Sequence, residues 1–176
     1  PAAFLCGHDI VLEAMNDPQI KAFMQRTLYD EVIPTLTLPK DDLLRFAEAV
    51  TGRFENPFIK HALLSICLNS VAKWRARCLP SLTAYVRQTG ELPKRLAFSL
   101  AALLALYQNG VLKDGALECL RDGTPYTLRD DAPVLAYFAE NVGADAATLT
   151  KGFLAREDFF GEDLTRIPGL LAYVTD

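Results

Sequence analysis

The chain has 176 residues, 51% hydrophobic and 23% charged, with 18 Lys and Arg against 22 Asp and Glu. That balance predicts one soluble, well-cored domain and excludes both a disordered tail and a basic nucleic-acid binder. The longest nearly uncharged apolar run, Leu96 to Tyr107, is twelve residues, whereas a membrane-spanning helix needs about 20, so no span is expected. No basic n-region with a cleavage site marks export. Cys6, Cys67, Cys78 and Cys119 are scattered without a Cys-x-x-Cys pair, which favours reduced, mostly buried thiols in a cytoplasm over a zinc module or disulfide framework. The chain opens on Pro1 in an apolar stretch with no initiating Met, as a piece of a longer polypeptide would.

Helical punctuation recurs along the chain. Asp17-Pro18 reads as an N-cap followed by Pro at the first helical position. The helix behind it carries Ile20, Phe23, Met24 and Leu28 on one stripe and ends near Pro34. Pro39 opens a second helix, with Leu43, Phe46, Ala47, Val50 and Phe54 at helical spacing. Asn56-Pro57 repeats the cap-plus-proline signal and predicts a third helix running to about Arg77. Pro80 begins a short helix that Gly90 closes. Pro93 starts a fifth, Lys94 to Gln108, apolar on all sides and therefore expected at the centre of the core. Asp114-Gly115 and Asp122-Gly123 are turn dipeptides around a predicted short helix, and Tyr126 to Leu128 could be extended. Helices follow at about Ala132 to Asn141, Ala146 to Ala155 and from Ile167. With no sustained period-2 alternation, no sheet is expected. The predicted fold is one all-α domain of about eight or nine helices.

Charge is unevenly spread. Between Arg53 and Arg95 eight basic residues face two acids, an excess of +6, while the rest of the chain carries ten against twenty, or −10. A basic island on an acidic protein suits a small anionic ligand better than a nucleic-acid backbone. Arg75, Arg77, Arg87, Lys94 and Arg95 read as solvated helix faces. Arg53, Asn56, Lys60 and His61 stand apart. If Asn56 caps the third helix, Lys60 and His61 fall near its first turn, where the dipole disfavours a cation. An anion at that helix end, held by backbone N–H groups and by these side chains, would relieve the conflict. The blander readings are that Asn56 only caps and that Lys60 and His61 point into water. On the same predicted helix His61, Ser65, Asn69 and Lys73 share a polar arc, opposite an apolar arc that includes Val71 and Trp74. Lys73, about 18 Å along from His61, would not reach the same small ligand.

The ten glycines form no Gly-x-Gly, so neither a dinucleotide fingerprint nor a P-loop is present. His8 and His61 are the only histidines, and no complete catalytic constellation can be built from them. No catalytic residue, cofactor-binding residue or metal ligand is therefore assigned.

The stretch Arg53-Phe-Glu-Asn-Pro-Phe-Ile-Lys-His61, followed by Leu68-Asn-Ser-Val-Ala-Lys-Trp-Arg-Ala-Arg-Cys-Leu-Pro-Ser-Leu82, resembles the C-terminal domain of the mannitol dehydrogenase family of long-chain polyol and sugar-acid dehydrogenases. Thr89 to Ala102, Leu5-Cys-Gly-His-Asp9, Glu13 to Asp17 and Gly161-Glu-Asp-Leu164 continue the likeness over nearly the whole chain. The Asn-Ser-Val-x-Lys run is similar to the tagaturonate reductase (altronate oxidoreductase) branch; the mannitol and fructuronate branches tend to an Asp-Gly-Ser type sequence there. The resemblance implies NAD-dependent hydride transfer between altronate and tagaturonate. It implies an N-terminal Rossmann domain for NAD and a helical domain, of the kind found in 6-phosphogluconate dehydrogenase, that closes over the sugar acid. The family's base-bearing Lys-x4-Asn-x2-His motif would fall just before Pro1, so no catalytic base is carried over, and the 176 residues alone are expected to be inactive. The Arg-Phe-x-Asn-Pro region, which faces substrate in the family, maps onto Arg53 and Asn56, with Lys60 and His61 as further candidates. Two other readings remain at this point: a mannitol- or fructuronate-type specificity, and a free-standing helical interaction module.

Overall fold

Lys94–Tyr107, which holds the longest nearly uncharged apolar run, is the central helix in the computed structural model, which describes residues 1–176. In chain order the helices are α1 (Ala2–Leu5), α2 (Val11–Asn16), α3 (Pro18–Arg26), α4 (Lys40–Phe54), α5 (Leu63–Ile66), α6 (Ser70–Arg77), α7 (Leu79–Thr89), α8 (Lys94–Tyr107), α9 (Ala132–Glu140), α10 (Ala146–Leu154), α11 (Glu157–Phe160) and α12 (Leu170–Thr175). Leu96, Ala97, Leu100, Leu103, Leu106 and Tyr107 of α8 are buried on several sides. Around them pack α1, α6 and α12, strand β2 (Ala116–Arg121) and a cluster of Phe138, Phe153, Phe159 and Phe160. Trp74 anchors α6 by donating from Nε1 to Ser99 Oγ at 2.9 Å and meeting Phe160 edge-on.

Pro93 supplies no side-chain cap for α8, and a buried carboxylate does the work instead. Glu31, 4% exposed, accepts from the backbone N–H groups of Arg95 (3.0 Å) and Leu96 (2.8 Å) and from the Arg95 guanidinium (3.3 Å). A negative charge at a helix N-terminus is favourable, and full pairing is what makes its burial tolerable. Glu31 lies on a π-helical turn, Thr27–Val32, that extends α3 to the 3-10 turn Ile33–Thr35. The expected stop at Pro34 and the Asp17 cap both hold: Asp17 Oδ1 accepts from Gln19 N at 2.7 Å and Ile20 N at 3.2 Å. Helices α4, α7, α9 and α10 also lie close to their predicted spans, and Gly90 closes α7 in the left-handed region. On α4 only Ala47 of the predicted stripe is buried, and Phe46 and Phe54 are exposed.

Two expectations fail. The fold is mostly helical but not all-α, with twelve α-helices, three of them a single turn, against the eight or nine expected. Residues predicted as a short helix between the Asp-Gly pairs form β2, the middle strand of an antiparallel sheet of order β1-β2-β3, with β1 at Val111–Lys113 and β3 at Thr124–Leu128. Asp114-Gly115 and Asp122-Gly123 all have positive φ, so each pair forms a two-residue hairpin turn. The strands bury Leu117, Cys119, Tyr126 and Leu128 against the helices.

The second failure is the third helix. No helix runs from Asn56 to Arg77. Asn56 Oδ1 does accept from Phe58 N at 3.0 Å, as a cap would, but only one turn follows. The chain is then drawn into an isolated antiparallel bridge between Ala62 and Ile10. Val11 N donates to His61 O at 2.9 Å, and Leu63 N donates to Asp9 O at 2.8 Å. Tertiary pairing thus overrides local helix propensity. After α5 the chain breaks again at Asn69, whose φ of 51° is left-handed and whose N–H donates to Arg129 O. The polar arc from His61 to Lys73 therefore does not exist as one helix face.

No helix is long and apolar enough to cross a membrane. All four cysteines are free; Cys67 and Cys119 are buried and Cys6 is exposed.

Candidate functional site

Arg53 sits in the last turn of α4, where a cation complements the helix dipole. The chain leaves the helix at Glu55 and runs through an exposed loop to Ala62. Arg53, Asn56, Lys60 and His61 all lie on this one nine-residue stretch, and the bridge to Ile10 fixes its far end. Lys60 and His61 are not in the first turn of a helix, so the expected dipole conflict is absent. What remains is their pairing. Arg53, Lys60 and His61 are exposed, and none joins an ion pair or a side-chain hydrogen bond within the protein. Glu55, the one acid in the stretch, is bound to Lys21 of α3. The loop therefore presents uncompensated positive charge beside the apolar side chains of Phe58, 91% exposed, and Ile59.

Asn56 spends its side-chain carbonyl on the turn. Its amide nitrogen is left as the group able to donate outward.

The rest of the basic island is not part of this site. Arg95 is tied to Asp30 and Glu31. Lys73 Nζ donates to Ile66 O at 3.0 Å, closing the break between α5 and α6. The Arg75 guanidinium passes so close over Gly161 that a β-carbon there would meet Nη2 at 2.8 Å.

Behind the loop stands the segment from Phe4 to Asp17, whose role the sequence pattern did not show. Glu13 Oε2 accepts from Asp9 N at 2.9 Å and Ile10 N at 3.2 Å, holding the strand that pairs with Ala62. His8 Nε2 lies 3.1 Å from Asp17 Oδ2. The Ile20 and Gln19 amides, helped by His8, hold the Asp17 carboxyl below its ordinary value. On the other side of the segment Asp9 meets Arg121 at the end of β2, Oδ1 to Nη2 at 2.8 Å. Deeper in, the Tyr107 hydroxyl donates to Asp130 Oδ2 at 2.6 Å, and burial together with that carboxylate pushes the phenol far up. Asp130 also accepts from Val71 N, so it serves the start of α6. No group of three or more His, Cys, Asp or Glu side chains is placed to hold a metal ion.

The mannitol dehydrogenase C-terminal domain matches residues 1–176, the full chain. The chain belongs to the mannitol dehydrogenase family. Among its family relatives, the altronate oxidoreductase of Klebsiella pneumoniae (strain 342) is 46% identical over 181 residues, covering 99% of this chain and 35% of the relative. The altronate oxidoreductase of Escherichia coli O7:K1 is 44% identical, covering 100% of this chain and 36% of its own length. A solved family structure, Pseudomonas fluorescens mannitol 2-dehydrogenase in ternary complex with NAD and D-mannitol, superposes with a TM-score of 0.80 at 27% identity. That match covers 98% of this chain and 33% of the mannitol enzyme. The chain thus spans about a third of the length of the family members it matches. The two bacterial relatives are named as oxidoreductases, each about three times as long as the stretch matched here.

Proposed function

We propose that this chain is the helical, substrate-binding C-terminal domain of an NAD-dependent altronate oxidoreductase, which interconverts D-altronate and D-tagaturonate by hydride transfer. The observation that carries the reading is the unpaired positive charge of Arg53 and Lys60 on a loop whose one acid is already neutralised. A sugar acid differs from a neutral polyol by a carboxylate, and a guanidinium is the side chain suited to grip a carboxylate through two parallel hydrogen bonds. The 46% identity to an altronate oxidoreductase points to the same substrate class.

In this reading Arg53 takes the carboxylate in bidentate fashion and Lys60 adds a point charge. His61 and the Asn56 amide nitrogen meet substrate hydroxyls. The loop is anchored at both ends, by α4 and by the bridge to Ile10, so the bound sugar acid is held in one orientation. Orientation of this kind contributes to rate by converting a bimolecular encounter into an intramolecular one. The exposed Phe58 and Ile59 belong to the face that meets the N-terminal domain of the same polypeptide, where water is excluded on closure.

NAD does not fit the residues of this chain. Its single sheet is an antiparallel meander of three strands, and no glycine-rich turn leads from a strand into a helix. The cofactor, which supplies the hydride acceptor, is assigned to a Rossmann domain outside these residues, as is the general base. The domain is assigned to a cytoplasmic enzyme.

Turnover by the full-length enzyme on tagaturonate, fructuronate and fructose tests the reading. Preference for tagaturonate supports it. Preference for fructose would move the chain to the mannitol branch, and preference for fructuronate to the fructuronate branch. Measurable NAD binding by the 176 residues alone would contradict the division of labour.

A further inference from the structure

The hairpin ends against the candidate loop's support through one side chain. Arg121, the last residue of β2 before the Asp122-Gly123 turn, turns back toward the start of the chain. Its Nη1 donates to Phe4 O at 2.8 Å and to His8 O at 3.4 Å, and its Nη2 donates to Asp9 Oδ1 at 2.8 Å. The guanidinium also lies over the Phe4 ring, 4.1 Å from its centroid, and Phe4 is locked edge-on against Tyr126 of β3. The Arg121 side chain is only 17% exposed, so its bonds to the Phe4 and His8 carbonyls are partly shielded from water, while the one to Asp9 lies at the surface. Asp9 in turn gives its carbonyl to Leu63 N, and Val11 gives its N–H to His61 O. A continuous set of polar contacts therefore runs from the hairpin through Asp9 to the backbone of His61.

We infer that Arg121 is a positioning residue for substrate binding by the loop, fixing where His61 and its neighbour Lys60 stand. It acts in two ways. It holds the Phe4–Asp9 segment in the register that the bridge to Ala62 requires. It also neutralises Asp9, an acid two residues along the strand from the one that binds His61, so that an anionic substrate does not meet an uncompensated carboxylate there. Lysine could replace the charge but not the planar fork that reaches several acceptors at once. This role rests on the substrate-binding reading of the loop given above.

The test is a double-mutant cycle in the full-length enzyme, with Arg121→Ala, Arg121→Lys, His61→Ala and the combined Arg121→Ala/His61→Ala, reading KM for the sugar acid, KM for NAD and kcat. Arg121→Ala is expected to raise the sugar-acid KM about five- to twentyfold, with Arg121→Lys in between and the NAD KM unchanged. Once His61 is already alanine, Arg121→Ala is expected to add a clearly smaller factor than it does alone, because of the two groups it positions only Lys60 remains. Full multiplication of the two effects, or no effect of either Arg121 variant, would overturn the positioning role while leaving the loop's own role standing. If His61→Ala itself leaves the KM unchanged, the loop reading falls and this role with it. Should Arg121→Ala not fold, Arg121→Lys takes its place in the cycle, with a smaller rise in the sugar-acid KM that is again reduced once His61 is alanine; full multiplication there would likewise overturn the role.

Discussion

Ala62 and Ile10 face each other across an isolated antiparallel bridge, and that pairing, not a helix, decides where Lys60 and His61 stand. Ala62 has φ −68° and ψ 132°, and the two bridge bonds use the N–H groups of Val11 and Leu63, not its own. Proline fits this geometry. Ala62→Pro is therefore expected to leave the 176-residue domain as stable as before or up to about 1 kcal/mol more stable, by restricting the unfolded chain. A helix through this position would instead be destabilised by about 3 kcal/mol. Urea unfolding midpoints of the two proteins distinguish the outcomes.

Glu31 is the buried carboxylate at the start of α8. Glu31→Ala removes the acceptor from two backbone N–H groups, leaving them unpaired, and leaves Arg95 with Asp30 alone. A loss of about 1–3 kcal/mol is expected, in the range for leaving a buried hydrogen-bonding group unsatisfied. Glu31→Gln keeps one acceptor and should lose less. Equal, small losses for both variants in urea unfolding would show that the carboxylate is not the cap.

Asp17 gives a pH dependence of known sign. Backbone amides of Ile20 and Gln19, with His8, lower its folded-state pKa from the ordinary 3.8. The folded protein therefore holds this proton less tightly than the unfolded chain, so the contribution is present above pH 3.8 and is lost as the pH falls through the folded value. The stability difference between the native protein and Asp17→Asn should be constant near neutrality and shrink below about pH 4. A difference that grows on acidification would contradict the assignment.

Most of the helical frame is legible in the sequence because its signals are local. Asp17-Pro18, Pro39, Pro80 with Gly90, and Pro93 mark helix boundaries that the chain observes within a few residues. The sheet is less legible, although two Asp-Gly pairs six residues apart are a hairpin signal, and Leu117, Cys119 and Tyr126 sit on its inner face. Strands of three to six residues are too short for alternation to stand out from a helical pattern. The third helix was misplaced for a different reason. Asn56-Pro57 carries a genuine cap signal, and only the pairing with Ile10, nearly fifty residues earlier, cancels it. The dipole conflict that the sequence predicts at Lys60 and His61 is not present in the structure. Arg53, Asn56, Lys60 and His61 share one short stretch of chain, and the structure leaves Arg53 and Lys60 without an ion-pair partner. Arg121 could not be reached from sequence, since its partners lie more than a hundred residues away.

If Arg53 grips the substrate carboxylate, as proposed, its loss should separate acid from neutral substrates. In the full-length enzyme Arg53→Ala should raise KM for a sugar-acid substrate about ten- to a hundredfold, the equivalent of losing a charged hydrogen-bonded contact of about 1.5–3 kcal/mol. With a neutral polyol or ketose the same substitution should change KM by less than about twofold, because there is no carboxylate to release. Equal changes for the acid and the neutral substrate would contradict the account.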